Sequence, residues 1–227
     1  MLIHPNRCLP ALLILLLGAG CNGQVNGNLG KEAASATPQG SSRVGGNCDT
    51  CELMYIGIPE SINATDTSAA WKEPGQKLLI SGTVYMPDGI TPASGVILYY
   101  WQTNSEGVYK TSDELDQKIE PHGHIRGWVK SGEEGEFNIY TTRPGAYPGR
   151  KDPQHIHILV KEPNLPNEYY IDDILFEGDP RLTSDWRRNL ENRGGSGIVQ
   201  TKLENGVQVA ERNIILGLNI PDYPTSE

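Results

Sequence analysis

The sequence lacks an apolar run long enough to cross a membrane. Its longest, Leu9 to Leu17, falls far short of the roughly 20 residues a spanning helix needs. Positive charge is also scarce: 19 Lys and Arg stand against 28 Asp and Glu, the formal charge is −9, and no basic cluster appears. Such a chain repels polyanions, which excludes nucleic acid as a partner. Cysteine is sparse, and Cys48 and Cys51 form the sole Cys-x-x-Cys pair. Structural zinc needs more soft ligands than that, and a thioredoxin-like role needs a βαβ context that is missing. A local disulfide is the expected state in an oxidising compartment. Helical patterning is nearly absent: Ser184 to Arg193 alone reads as helix, and it is short.

What is present begins with an export signal over residues 1–21. Arg7 supplies charge, Leu9 to Leu17 the apolar run, and Gly18, Ala19 and Gly20 precede Cys21. The small residues ending in cysteine resemble a bacterial lipoprotein cleavage box, with Gly18 where that box usually has leucine. A lipid on Cys21 is therefore expected, and it is the one expected contact with a membrane. Ordinary secretory cleavage stays open; both readings export the protein, to the periplasm or the cell surface. Residues 22–47 are rich in Gly, Ser, Asn and Ala and are expected to form a flexible tether. Residues 48–227 then form one domain, roughly 175 residues being a suitable size.

Within that domain, β-rich runs occur at Lys77 to Tyr85, Val96 to Trp101, Ile125 to Lys130, Glu136 to Thr141 and His155 to Lys161. Others lie at Tyr170 to Phe176, Gly197 to Lys202 and Val207 to Leu218, each bounded by turn residues. About eight short strands with almost no helix cannot build alternating βα units. Their apolar faces must pack sheet against sheet, so the predicted class is all-β, a two-sheet sandwich. The connections at 110–124 and 177–196 exceed what hairpins need and are expected to form pocket walls.

The most informative segment is His155-Ile156-His157-Ile158-Leu159-Val160. Strand side chains alternate, so both histidines share one face and Ile156, Ile158 and Val160 the other. Two imidazoles on a stiff support suit a metal, although a polar face or two hydrogen-bonded rings fits the same pattern. Upstream, Pro144, Gly145 and Pro148 restrict the backbone around Tyr147. That tyrosine is either placed for a purpose or packs over the sandwich end. Tyr109 follows Trp101-Gln102-Thr103-Asn104 at the entry to the first long loop.

This last stretch resembles the Trp-Gln-x-Asn…Gly-x-Tyr segment of intradiol ring-cleavage dioxygenases such as the protocatechuate and catechol dioxygenases. Their Thr-x-x-Pro-Gly-x-Tyr-Pro and His-Ile-His segments follow here in order. Lys77 to Tyr85 looks like the family's first core strand, and Phe176-Glu177-Gly178-Asp179-Pro180 like its later turn, so the resemblance spans roughly residues 75–220. It implies an iron(III) ion held by Tyr109, Tyr147, His155 and His157. It also implies a catechol-type aromatic and O2 as substrates, cleavage between the two hydroxylated carbons, and a muconate-type product. Tyr147 would serve both as ligand and as proton acceptor. The anionic, hard donor set agrees with ferric iron rather than iron(II) or zinc. Asp152 keeps a two-histidine, one-carboxylate arrangement open.

The chain departs from better-known members of the family at two positions. They place an arginine three residues before the first histidine of His-Ile-His, where this chain has Asp152, and a glutamine shortly before Phe-Glu-Gly-Asp-Pro, near Asp173. Arg150 is the expected substitute for that arginine, with a surface salt bridge as the other reading. His122 and His124 are expected to line the pocket or face solvent, and Glu177 and Asp179 to serve the turn. An inert binding module on a surface lipoprotein and an enzyme using another metal are the rival readings. Association into a homo-oligomer stays open.

Overall fold

The computed structural model describes residues 43–112 and 115–224. The export segment, Cys21 and most of the expected tether lie outside the described residues. In chain order the strands are β1 (Thr65–Thr67), β2 (Lys77–Tyr85), β3 (Ile97–Trp101), β4 (Arg126–Lys130), β5 (Glu136–Thr142) and β6 (His155–Lys161). They continue with β7 (Tyr169–Tyr170), β8 (Ile174–Phe176), β9 (Ile198–Val199), β10 (Lys202–Glu204), β11 (Val207–Glu211) and β12 (Ile214–Ile215). The helix α1 covers Ser184–Arg188, shorter than its sequence pattern suggests, and none among the described residues is long and apolar enough to cross a membrane.

One sheet runs β1-β5-β2-β11-β10, with β12 also on β2; the other runs β4-β3-β6-β8-β9, with β7 also on β6. The class is the expected two-sheet sandwich, with both sheets mixed because β11, β12 and β9 join their neighbours in parallel. The core is set by alternation. Leu78, Ile80, Phe137 and Ile139 from the first sheet meet Leu98, Tyr100, Ile156, Ile158 and Val160 from the second. Three expected strands are each divided in two. The break at residues 171–173 separates β7 from β8, where Asp172 leaves the ladder and its N–H bonds to the Arg193 carbonyl at 3.1 Å.

The outer face of the second sheet is covered as well. Tyr99, Trp101 and Leu159 form a separate apolar cluster there with Cys51 and Met54, and Tyr109, Trp128 and Tyr170 pack on it. The cover is a 3₁₀ turn at Cys51–Tyr55, and Cys48 and Cys51 are disulfide-bonded as expected. Residues 43–46, placed by composition in the tether, pack against the sandwich. Val44 is only 7% exposed, Gly45 N–H donates to the Pro221 carbonyl at 2.8 Å, and Arg43 pairs with Glu168.

Candidate metal centre

The histidines of β6 lie on its covered outer face, opposite Ile156 and Ile158, as strand alternation requires. Two loops bring the tyrosines to them. Gln102, Thr103 and Asn104, upstream of Tyr109, tie these loops together. Asn104 Oδ1 accepts the N–H groups of Glu106 and Val108, and the Asn104 carbonyl accepts the Gly145 N–H at 2.8 Å. Thr103 Oγ1 donates to the Gly145 carbonyl at 2.8 Å, and Gln102 Nε2 donates to the Thr142 carbonyl at 2.8 Å. Gly107 and Gly145 make the close approach possible: a Cβ on Gly107, whose φ is +81°, would lie 2.1 Å from the Ala146 oxygen, and one on Gly145 would lie 2.4 Å from Gly107 N.

Four donor atoms converge as a result. Tyr147 Oη lies 2.9 Å from Tyr109 Oη, 3.0 Å from His155 Nε2 and 3.4 Å from His157 Nε2, and the two Nε2 atoms are 3.2 Å apart. The tautomers follow from the other ring nitrogens. His155 Nδ1 faces the Pro153 carbonyl at 2.7 Å and His157 Nδ1 faces Asp173 Oδ1 at 3.0 Å, so each must carry its hydrogen there. Both Nε2 atoms therefore present lone pairs 3.2 Å apart, with the Tyr147 hydroxyl within hydrogen-bonding distance of each, an arrangement of donors that a cation among them would satisfy. Bonds of about 2.0–2.1 Å at angles of about 90–120° hold neighbouring donors about 2.8–3.6 Å apart, which matches these separations. Burial pushes the Tyr109 and Tyr147 phenols up, with the Tyr147 hydroxyl adding to the effect on Tyr109, and burial pulls His155 down, helped by His157. The residues present fit a metal that prefers two phenolates and two imidazoles.

The surrounding side chains differ in part from their expected places. Asp152 is drawn to Arg150, whose Nε donates to it at 2.9 Å. Asp173 is the carboxylate near the histidines, with ligand atoms of His155, His157 and Asp173 within 4.8 Å of one another. It buttresses His157 from the far nitrogen. Burial works to raise its carboxyl, but His157 holds it below its ordinary value. Arg150 is 65% exposed and stacks over the Tyr147 ring, 4.9 Å from its centroid, instead of lining the cavity. His124 bonds to Glu73 and the Lys110 carbonyl, and Glu177 is an exposed partner of Arg187. Asp179 holds the Gln154 N–H at 2.6 Å, fixing the entry to β6. Arg181, which no motif singles out, donates to the Tyr147 carbonyl at 3.0 Å.

A cavity of about 600 Å³ opens beside the four donors, with Tyr109, Tyr147 and His157 in its wall. Trp101 stacks between His157 and His122, at centroid distances of 4.7 and 4.0 Å. Both long connections contribute, the first through Pro121 and His122 and the second through Trp186 to Arg193. Asp49 and Thr50, between the bonded cysteines, complete the wall. Thr50 Oγ1 contacts His122 Nε2 at 3.0 Å, and His122 Nδ1 contacts Tyr99 Oη at 2.9 Å. Arg126 donates to that same Tyr99 oxygen at 3.4 Å, so His122 is held at both ring nitrogens by hydroxyl groups that are themselves anchored.

A family model described as Dioxygenase matches residues 55–208, more than half of the chain. The protocatechuate 3,4-dioxygenase beta chain of Burkholderia cepacia is 28% identical over 121 residues, 49% of this chain and 49% of its own length. Catechol 1,2-dioxygenase 1 of Acinetobacter lwoffii is 28% identical over 149 residues, 56% of this chain and 47% of its own. The chain thus spans about half the length of these curated relatives. A solved dioxygenase domain, from a dioxygenase carbohydrate-binding protein fusion of Streptomyces sp. SirexAA-E, superposes with a TM-score of 0.52 and 27% identity, covering 70% of this chain and 90% of that one. Matched by the family model across both tyrosine loops and the His-Ile-His strand, the chain belongs to the intradiol ring-cleavage dioxygenase family.

Proposed function

We propose that this protein opens the ring of a catechol-type aromatic between its two hydroxylated carbons, with iron(III) held by Tyr109, Tyr147, His155 and His157. One molecule of O2 is consumed and both of its atoms enter the product, a muconate-type diacid, so no external reductant is needed. The observation that carries the reading is the convergence of two phenol oxygens and two bare imidazole nitrogens beside a cavity of about 600 Å³. A hard, anionic donor set of this kind favours the ferric state. The chemistry that iron(III) supplies in such a set is Lewis acidity toward the phenolic oxygens of the substrate.

The protein's own residues do the rest. Tyr147 touches the other three donors and borders the cavity, so its Oη would both help hold the metal and be the group placed to accept a substrate proton. Arg150, stacked on its ring, favours the phenolate and is the chain's cationic support for that step. Trp101 excludes water from one side of His157. Export and a lipid on Cys21 belong to the same proposal, supported by the charged, apolar and small-residue segments that precede Cys21. The mass of the mature N-terminus tests that part.

The test of the activity is a visible spectrum of the purified mature protein after iron loading, under nitrogen, with and without catechol, followed by air. One equivalent of iron, a visible phenolate-to-iron band that shifts with catechol, and a muconate-type product after air are expected. A colourless, inactive protein that nonetheless binds iron would refute the assignment.

A further inference from the structure

We infer that the cavity selects catechols by charge, excluding those with an anionic substituent and favouring those with a cationic arm. The inference rests on the proposed ring-cleavage reading and adds the substrate's charge to it. Four acidic residues line this cavity, Asp49, Asp172, Asp173 and Glu191, against one arginine, Arg193. They come from three separate segments: the loop between the bonded cysteines, the break between β7 and β8, and the chain beyond α1. The fold therefore assembles the acidic wall, and it is not one local run of charge.

The cation in the wall is already engaged. Arg193 Nε pairs with Glu191, and another of its nitrogens donates to the Gly45 carbonyl at 3.3 Å. His122, the remaining basic side chain beside the ligand histidine, has both ring nitrogens occupied by Thr50 and Tyr99. The carboxylates are less fully compensated. Asp172 accepts the backbone N–H groups of Asn192 and Arg193 at 2.9 and 3.1 Å, and Asp173 is bonded to His157. Asp49 is exposed and forms no ion pair among the described residues. A ring carrying a carboxylate thus enters a cavity that offers like charge and no free guanidinium. An ammonium arm finds carboxylates together with the flat faces of Trp186 and Tyr170, both of which attract cations.

The test uses three catechols that each carry a methylene-linked group at carbon 4 and differ in charge: 3,4-dihydroxyphenylacetate, 4-ethylcatechol and 3,4-dihydroxybenzylamine. With the iron-loaded mature protein, kcat/KM is measured in air. Binding is measured under nitrogen from tryptophan fluorescence, a readout independent of turnover. The expected order is amine, then ethylcatechol, then acid, with the acid on the order of tenfold or more below the amine at low salt. Added salt should narrow the gap from both ends. Asp49→Asn should weaken the amine, and Glu191→Gln, which releases Arg193, should improve the acid. All three opened with equal kcat/KM, or the acid preferred, would overturn the charge inference and leave ring cleavage standing. The charge order in binding with no ring opened would overturn ring cleavage alone, and loss of both would overturn both.

Discussion

Asp173 sets the chemistry of one proposed ligand, His157, from behind. Its Oδ1 takes the Nδ1 hydrogen of His157 at 3.0 Å, which fixes the ring's orientation and leaves Nε2 without a hydrogen. Other members of the family were expected to carry an amide near this position, so the carboxylate is a place where this chain makes its own choice. Asp173→Asn keeps an acceptor but removes the charge, and it should weaken iron binding about tenfold, within the range typical of outer partners of metal-bound histidines. Competition with a chelator measures it, and an unchanged affinity would show that the charge is immaterial. His122 gives a second prediction, in stability. Burial pulls its pKa from 6.5 to about 3, so between those values the unfolded chain binds a proton that the folded protein does not. Its contribution is complete above about pH 6.5 and is lost as the pH falls toward 3. His122→Gln should therefore lose less stability than the parent protein between pH 7 and pH 4 in urea unfolding, even if it begins lower.

Among the elements, the two tyrosine loops are held in register by glycines that touch across them. Gly145→Ala would put a Cβ 2.4 Å from Gly107 N and 2.6 Å from the Ser105 oxygen, so one loop must move away from the other. The expected cost is about 1–3 kcal/mol of stability, the range for overpacking at a close contact. Loss of the visible band at one equivalent of iron should accompany it, because Tyr147 and Tyr109 no longer share a centre. A variant with the parent's spectrum and unfolding midpoint would remove this account of the motif. The same elements show what the sequence could convey. Period-two alternation at His155 to Lys161 and at Lys77 to Tyr85 matches β6 and β2 residue for residue. The break at 171–173 was hidden because Ile171 continues the apolar pattern, while a distant carbonyl, that of Arg193, ends the ladder. Strand β1 was hidden because Thr65–Thr67 has no apolar residue, its pairing with β5 being a tertiary contact. The four donors could be read by resemblance, whereas Asp173 behind His157 and Arg181 behind Tyr147 act through contacts that no spacing encodes.

At the scale of the whole molecule, the cavity wall joins segments that are remote in the chain, and the disulfide holds one of them. Cys48 and Cys51 bracket Asp49 and Thr50, Thr50 has the left-handed φ of +64°, and its hydroxyl is hydrogen-bonded to His122 Nε2. Tyr170 Oη donates to the Asp49 carbonyl at 2.9 Å, tying the same turn to the edge of the second sheet. None of these hydrogen bonds reaches the four donor atoms, so on the proposed reading the turn serves substrate binding more than the metal. The Cys48→Ser, Cys51→Ser double variant should then lose about 2 kcal/mol of stability at most, since the closed loop is short. It should keep its iron stoichiometry and its visible band, and its KM for catechol should rise several-fold while kcat changes little. Steady-state kinetics in parallel with iron titration distinguish the outcomes. A loss of iron would show that the covering turn supports the metal centre itself, and an unchanged KM would show that Asp49 and Thr50 stand clear of the substrate.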